Sequence, residues 1–139
     1  MNFPAMDGAI ELIQSLKQAG FGLAIGSSGP PENVAFVLER LQAQGLFDAA
    51  VTGRDVQFGK PHPQVFLTAA AKLGVPPARC AVIEDAPVGI TAAQAAGMAN
   101  IGLLSTGHTP ESLAAAQLVV RSLRELTPAR IAELIRQTR

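Results

Sequence analysis

The feature that most constrains this chain is its alternation of short apolar runs with segments of helical period, each closed by Gly or Pro. Five runs read as strands: Leu23–Gly26, Phe47–Thr52, Cys80–Ile83, Asn100–Leu104 and Leu118–Val120, the last at an edge. Between them lie helix patterns. Ile10, Ile13 and Leu16, with Leu12 beside them, mark a helix over 9–19, capped by Asp7 or Gly8 and ended by Gly20. Pro30 and Pro31 open a second, with Val34, Val37, Leu38 and Leu41 on one face and Gly45 at its C′ position. Further helices span 63–73, 88–96 and, briefly, 110–116. A last one is capped by Thr127, with Ile131, Leu134 and Ile135 turned inward. Strands alternating with helices predict an α/β fold: a three-layer, doubly wound parallel sheet in one domain over residues 1–139. In such sheets ligands bind beyond the carboxyl ends of the strands. Ser27 and the pair Glu84-Asp85 follow two of those ends.

Composition excludes several partners. Eleven basic side chains balance eleven acidic ones, so the chain lacks the basic surface that nucleic acid or an anionic membrane selects. Trp and Tyr are absent, which leaves few platforms for stacking bases. No apolar stretch approaches the roughly 18 residues that mark a membrane span. The first nine residues lack the basic and apolar regions of a signal peptide, so a cytoplasmic location is expected. Cys80 is the sole cysteine and reads as a small core residue. His62 and His108 have no metal-ligand spacing, although His62 lies beside Lys60.

Three sites carry possible chemistry. Adjacent carboxylates at the end of an apolar strand are costly unless compensated. Glu84 and Asp85 either hold a hard cation such as Mg²⁺, or Asp85 caps the next helix while Glu84 is solvated. Lys60, in Gly59-Lys60-Pro61-His62-Pro63, sits on a loop stiffened by two prolines, which suits neutralisation of a phosphate. Ser27 precedes a helix N-terminus, where a hydroxyl and unpaired N–H groups favour an anion. A simpler role for Ser27 or Ser28 is to cap that helix. Asp55 and Arg54 read as a solvated salt bridge.

The ordered segments LAIGSSGPPENV, VTGRDVQFGKPHPQVF and VIEDAPVGITAAQAAGM closely resemble the haloacid dehalogenase superfamily. They look most like its branch of β-phosphoglucomutase-like enzymes and sugar-phosphate phosphatases. The resemblance runs from about Ala9 to the last helix. It implies phosphoryl chemistry on a small phosphorylated metabolite. Ser27 and Lys60 would be catalytic, with Ser27, Ser28, Gly29 and Lys60 around the phosphate. Glu84 and Asp85 would hold Mg²⁺, Asp85 the more direct ligand. The family's first motif, a strand ending in Asp-x-Asp that supplies nucleophile and general acid, has no match: no Asp-x-Asp occurs in the chain. The helical cap domain that selects substrate has no match either. A truncated core of low or no activity is therefore expected, or a silent phosphate-binding or protein-interaction module, or a subunit completed by a separate chain. Without the nucleophile strand the family order becomes 2-1-gap-3-4-5. The expectation is that the gap closes to 2-1-3-4-5, or that a second chain, as in a homodimer, covers the exposed edges.

Overall fold

A computed structural model describes residues 7–104 and 109–138. In chain order the elements are α1 (Ala9–Gln18), β1 (Ala24–Gly26), α2 (Pro31–Leu41), β2 (Ala49–Val51), α3 (Gln64–Leu73), β3 (Ala81–Glu84), α4 (Pro87–Ala95), β4 (Ala99–Leu103), β5 (Leu118–Val120) and α5 (Pro128–Thr138). Every strand pair is parallel: β1 with β2, β3 with β4, and β4 with β5. Among the described residues no helix is long and apolar enough to cross a membrane.

Strand alternation distributes the core over both faces of the sheet. Ala81 and Ile83 of β3, with Ala99, Ile101 and Leu103 of β4, pack with Leu12 and Leu16 of α1 and Ile131 and Ile135 of α5. Val82, the intervening residue of β3, turns to the other face. There it joins Val65, Phe66, Ala69 and Ala70 of α3 and Ala92, Ala93 and Ala96 around α4. The same alternation sends Glu84 to the α4 side, which matters below. Asn100 is the one buried polar residue among the described residues. Its side-chain amide donates to Met98 O (3.2 Å) and its Oδ1 accepts from Gln117 N–H (3.0 Å), while its backbone N–H donates to Gln117 Oε1 (2.8 Å).

The expected closure of the sheet does not occur. β2-β1 and β3-β4-β5 remain two hydrogen-bonded pieces, with no ladder between β1 and β3. At the carboxyl end of the junction a charged group stands where a strand contact would be. The carbonyl of Gly26, the last residue of β1, accepts from Lys60 Nζ at 3.3 Å.

Several element ends also differ from expectation. Neither serine caps α2, whose N-cap is Pro30 without a side-chain bond. Asp7 does not cap α1, where Gly8 is the N-cap; Asp7 instead forms a two-pronged bond to Arg124. Gly45 is not the C′ residue of α2. The chain turns earlier, with Gln42 in the left-handed region at φ 53°, and this turn buries Ala43 completely. Thr127 does cap α5, accepting from Arg130 N–H at 3.1 Å. His108 lies outside the described residues.

Candidate functional site

The carboxyl ends of β1 and β3 meet around Lys60. Its ammonium has three N–H donors. One goes to Gly26 O (3.3 Å) and one to Glu84 Oε2 (2.9 Å), while the group lies 5.1 Å from the centre of the Phe66 ring. Among the described residues no third hydrogen bond is made by this ammonium. Lys60 and Glu84 keep only 15% and 12% of their side-chain surface exposed, so their pairing is little screened by water. Phe66 comes close because Gly26 faces α3, where a Cβ would sit 3.3 Å from the ring.

The loop carrying Lys60 is docked onto the end of β1 by backbone bonds. Ser28 Oγ accepts from Lys60 N–H at 3.0 Å, and Gly53 N–H donates to Gly29 O at 2.6 Å. Gly53 has no room for a side chain, and Gly59 is tightly packed. A Cβ at Gly53 would lie 2.7 Å from Ser28 O, and one at Gly59 would lie 3.2 Å from the Ser28 side chain. Ser27 Oγ accepts from Gly29 N–H at 3.0 Å. A hydroxyl that accepts still has its own hydrogen to give, so both Ser27 and Ser28 can donate to an anion. The terminus of α2 contributes less than its position suggests. Pro30 and Pro31 have no N–H, and Asn33 N–H is used by Pro30 O.

Beyond β3 the two acids separate in role. Glu84 lies against α4 and is held by Lys60, and Gly89 makes this possible, since any Cβ there would fall inside the Glu84 side chain. Asp85 is exposed and has no hydrogen bond or ion pair with a described residue. It does not cap α4, whose N-cap is Ala86. The donor set therefore fits Mg²⁺ through Asp85. Mg²⁺ commonly binds one or two carboxylates and completes its shell with water and substrate phosphate. Glu84, expected as a second ligand, has one oxygen committed to Lys60. Among the described residues there is no cluster of three or more His, Cys, Asp or Glu.

The family model described as haloacid dehalogenase-like hydrolase matches residues 2–97. The chain belongs to that family. A validoxylamine A 7'-phosphate phosphatase of Streptomyces hygroscopicus subsp. limoneus is 40% identical over 121 residues, covering 87% of this chain and 56% of the relative. A β-phosphoglucomutase of Bacillus subtilis is 38% identical over 122 residues, covering 88% and 51%. The crystal structure of a β-phosphoglucomutase from Clostridium difficile superposes with a TM-score of 0.80 at 30% identity, covering 97% of this chain and 56% of that one. The chain thus spans about half the length of the curated relatives it matches.

The structure of this dehalogenase-like chain brings Ser27, Ser28, Gly29, Lys60 and Glu84 together, with Asp85 alongside. Other residues fall elsewhere. Asp55 accepts from Thr52 N–H at 2.8 Å and lies 3.9 Å from Lys72, so Arg54 is not its partner. Cys80 is partly buried against the α3–α4 core, and burial pushes its thiol pKa up, away from the reactive thiolate. Sequence reasoning passed over Gln64, whose Oε1 accepts from both Gln57 N–H (2.8 Å) and Phe58 N–H (2.9 Å) and so folds the loop before Lys60. It also treated Gly53 and Gly89 only as a strand stop and a motif marker. Their clustering against Ser28 and Glu84 is a tertiary fact with no signal along the chain.

Proposed function

We propose that this chain is a phosphate-binding core of the sugar-phosphate phosphatase and phosphoglucomutase type, with low or no turnover by itself. The observation that carries this reading is the bridging ammonium of Lys60, which spans the end of β3 and the end of β1, the strand that Ser27 directly follows. Such an array suits phosphoryl transfer, where catalysis consists mainly of positioning and charge neutralisation. Lys60 would offset charge on the phosphoryl oxygens, Ser27 and Ser28 would donate hydrogen bonds, and Asp85 would hold Mg²⁺. Bound there, the metal supplies further charge neutralisation at the phosphoryl group. Asp7 and Asp48 are engaged in ion pairs and Asp55 accepts from Thr52, so none of these three is a free carboxylate. Loss of a covalent nucleophile removes most of the rate while binding and electrostatics persist.

A second reading has one specific observation behind it. Among the described residues the inner edges of β1 and β3 have no strand partner, and an open edge accepts another strand. A separate chain inserting a strand there, with an acid at its carboxyl end, would complete the site as an active subunit.

The deciding experiment measures hydrolysis of a panel of sugar phosphates and an aryl phosphate by the purified chain, with and without Mg²⁺, alongside Asp85→Ala. No turnover, together with saturable binding of inorganic phosphate that Lys60→Met abolishes, is the expected result. Mg²⁺-dependent turnover that disappears in Asp85→Ala would overturn the claim of an inert lone chain. Absence of phosphate binding would overturn the core reading.

A further inference from the structure

Phe58 and His62 stand two residues before and two residues after Lys60, and neither has a role in holding phosphate. Phe58 is 52% exposed, in a chain that spends its few aromatic residues sparingly. An exposed Phe on the surface of a site is informative where an exposed Leu elsewhere is not. Its ring stacks on His62, with centroids 4.9 Å apart and planes inclined by 29°. The pair is fixed by its backbone. Gln64 Oε1 holds the N–H of Phe58 (2.9 Å), His62 N–H donates to Gly59 O (3.0 Å), and Gln64 N–H donates to His62 Nδ1 (3.1 Å).

That last bond sets the chemistry of the imidazole. With Nδ1 accepting, the neutral ring carries its hydrogen on Nε2, which has no partner among the described residues. The rings therefore offer one apolar face and one outward N–H donor on a rigid loop. The next residue, Gly59, lies against the Ser28 side chain, so the segment that carries the pair borders the candidate phosphate cradle. Ligand sites typically combine such apolar area with a few fixed polar groups.

We infer that Phe58 and His62 form the subsite for the organic part of the phosphorylated ligand, and that this part is a hydroxylated carbon skeleton. Its C–H groups pack on the Phe58 ring, and a hydroxyl oxygen accepts from His62 Nε2–H. An aromatic ester would use the ring but leave that donor unmatched. The inference rests on the phosphate-cradle reading above and adds the residues that recognise what the phosphate is attached to.

The test is titration of the purified chain with inorganic phosphate, sorbitol 6-phosphate and phenyl phosphate, followed by amide and ring NMR signals. All three probes are expected to shift the Ser27–Gly29 and Lys60 amides. Sorbitol 6-phosphate is expected to bind about five-fold tighter than inorganic phosphate or phenyl phosphate, the scale of one net hydrogen bond to the His62 donor, and it alone is expected to shift the His62 Nε2 signal. Phe58→Ala removes the apolar face. His62→Asn withdraws the donor from the Nε2 position, leaving a shorter amide whose carbonyl can still accept from Gln64 N–H. Both variants are expected to erase the sorbitol 6-phosphate advantage and leave inorganic phosphate affinity within about two-fold. Binding of inorganic phosphate with no such advantage, or an advantage that survives both variants, overturns the subsite and leaves the cradle standing. An equal advantage for phenyl phosphate overturns the assignment to a hydroxylated skeleton. No binding of any probe overturns cradle and subsite together.

Discussion

The two pieces of the sheet differ in how they are built. In the β3-β4-β5 piece, all five residues of β4 are buried, and it is paired on both sides. Helices α1 and α5 cover one face and α4 the other. In the β1-β2 piece each strand has three residues, β1 has none buried, and α2 buries only Val34. The difference separates stability from recognition. The larger piece supplies the core and places the two acids, whereas the smaller piece carries Ser27, Ser28 and Gly29. The smaller piece is attached through the apolar face of α3, which joins Val51 to Val82 in one cluster, and through Lys60. A phosphate cradle assembled across such a junction depends on how firmly the pieces are joined.

The largest expected effect tests which piece holds the fold. Ile101 is fully buried in β4, and Ile101→Ala is expected to cost about 3 kcal/mol, within the range for buried large-to-small changes. Ile25, at the equivalent middle of β1, is only half-buried, and Ile25→Ala is expected to cost about 1 kcal/mol. Urea denaturation followed by circular dichroism measures both, provided the slope is unchanged. Equal costs would break the comparison, because the small piece would then be as deeply committed to the core as the large one.

How much of this was legible from sequence follows the same division. Short apolar runs and period-3.6 patterns located all ten elements within a few residues, since apolar patterning reflects local geometry and burial together. The end of α3 at Leu73 and the Thr127 cap of α5 read correctly because both are set within one turn. The candidate residues Ser27, Lys60, Glu84 and Asp85 lie at or reach the carboxyl ends of β1 and β3, as strand-end positions predict. Their division of labour was not legible along the chain. Glu84 pairs with Lys60 because strand alternation turns it toward α4 and Gly89 opens space for it, which requires contacts 24 residues apart in sequence. Ser28 likewise anchors Lys60 N–H across 32 residues instead of capping the adjacent helix. The short 3₁₀ turn Leu123–Glu125 was missed, although Ser122 and Glu125 form a capping box readable in principle.

An intermediate effect is expected at the junction itself. Lys60→Met leaves Glu84 mostly buried without its cation, at a cost of about 2 kcal/mol, below the figure for fully buried pairs because some water remains. Glu84→Gln is expected to cost less, because the amide oxygen can still accept from the ammonium. The double variant should recover part of the loss, giving a coupling of about 1 kcal/mol in a double-mutant cycle. Amide exchange adds a spatial readout: Ser27 N–H, bonded to Val51 O, should exchange faster in Lys60→Met while Ile101 N–H is unchanged. Uniform acceleration would mean that the ammonium supports the whole fold and not the attachment of one piece.

The smallest effect concerns the solvent-facing edge of the β1-β2 piece and appears only in acid. Asp48 accepts from Leu23 N–H at 2.8 Å and from Lys17 at 3.2 Å, so it ties the approach to β1 and the end of α1 to the start of β2. The Leu23 amide first, and the Lys17 ammonium after it, hold its carboxyl below the ordinary aspartate value. A depressed folded pKa means that the unfolded chain takes up the proton first. The stabilisation is therefore complete above the ordinary value of about 4 and is lost as pH falls toward the folded one. In Asp48→Asn that dependence is absent. Denaturation curves from pH 7 to pH 3 should show wild type above the variant near neutrality and the two converging in acid. Asp7 is also depressed, by its bond to Arg124, but it sits beside the larger piece. Asp7→Asn should leave exchange at Ser27 unchanged across this range, whereas Asp48→Asn should accelerate it near neutrality. If both variants acted alike on Ser27, the two pieces would respond to acid as one unit, and the attachment through α3 and Lys60 would be tighter than their separate hydrogen-bond ladders imply.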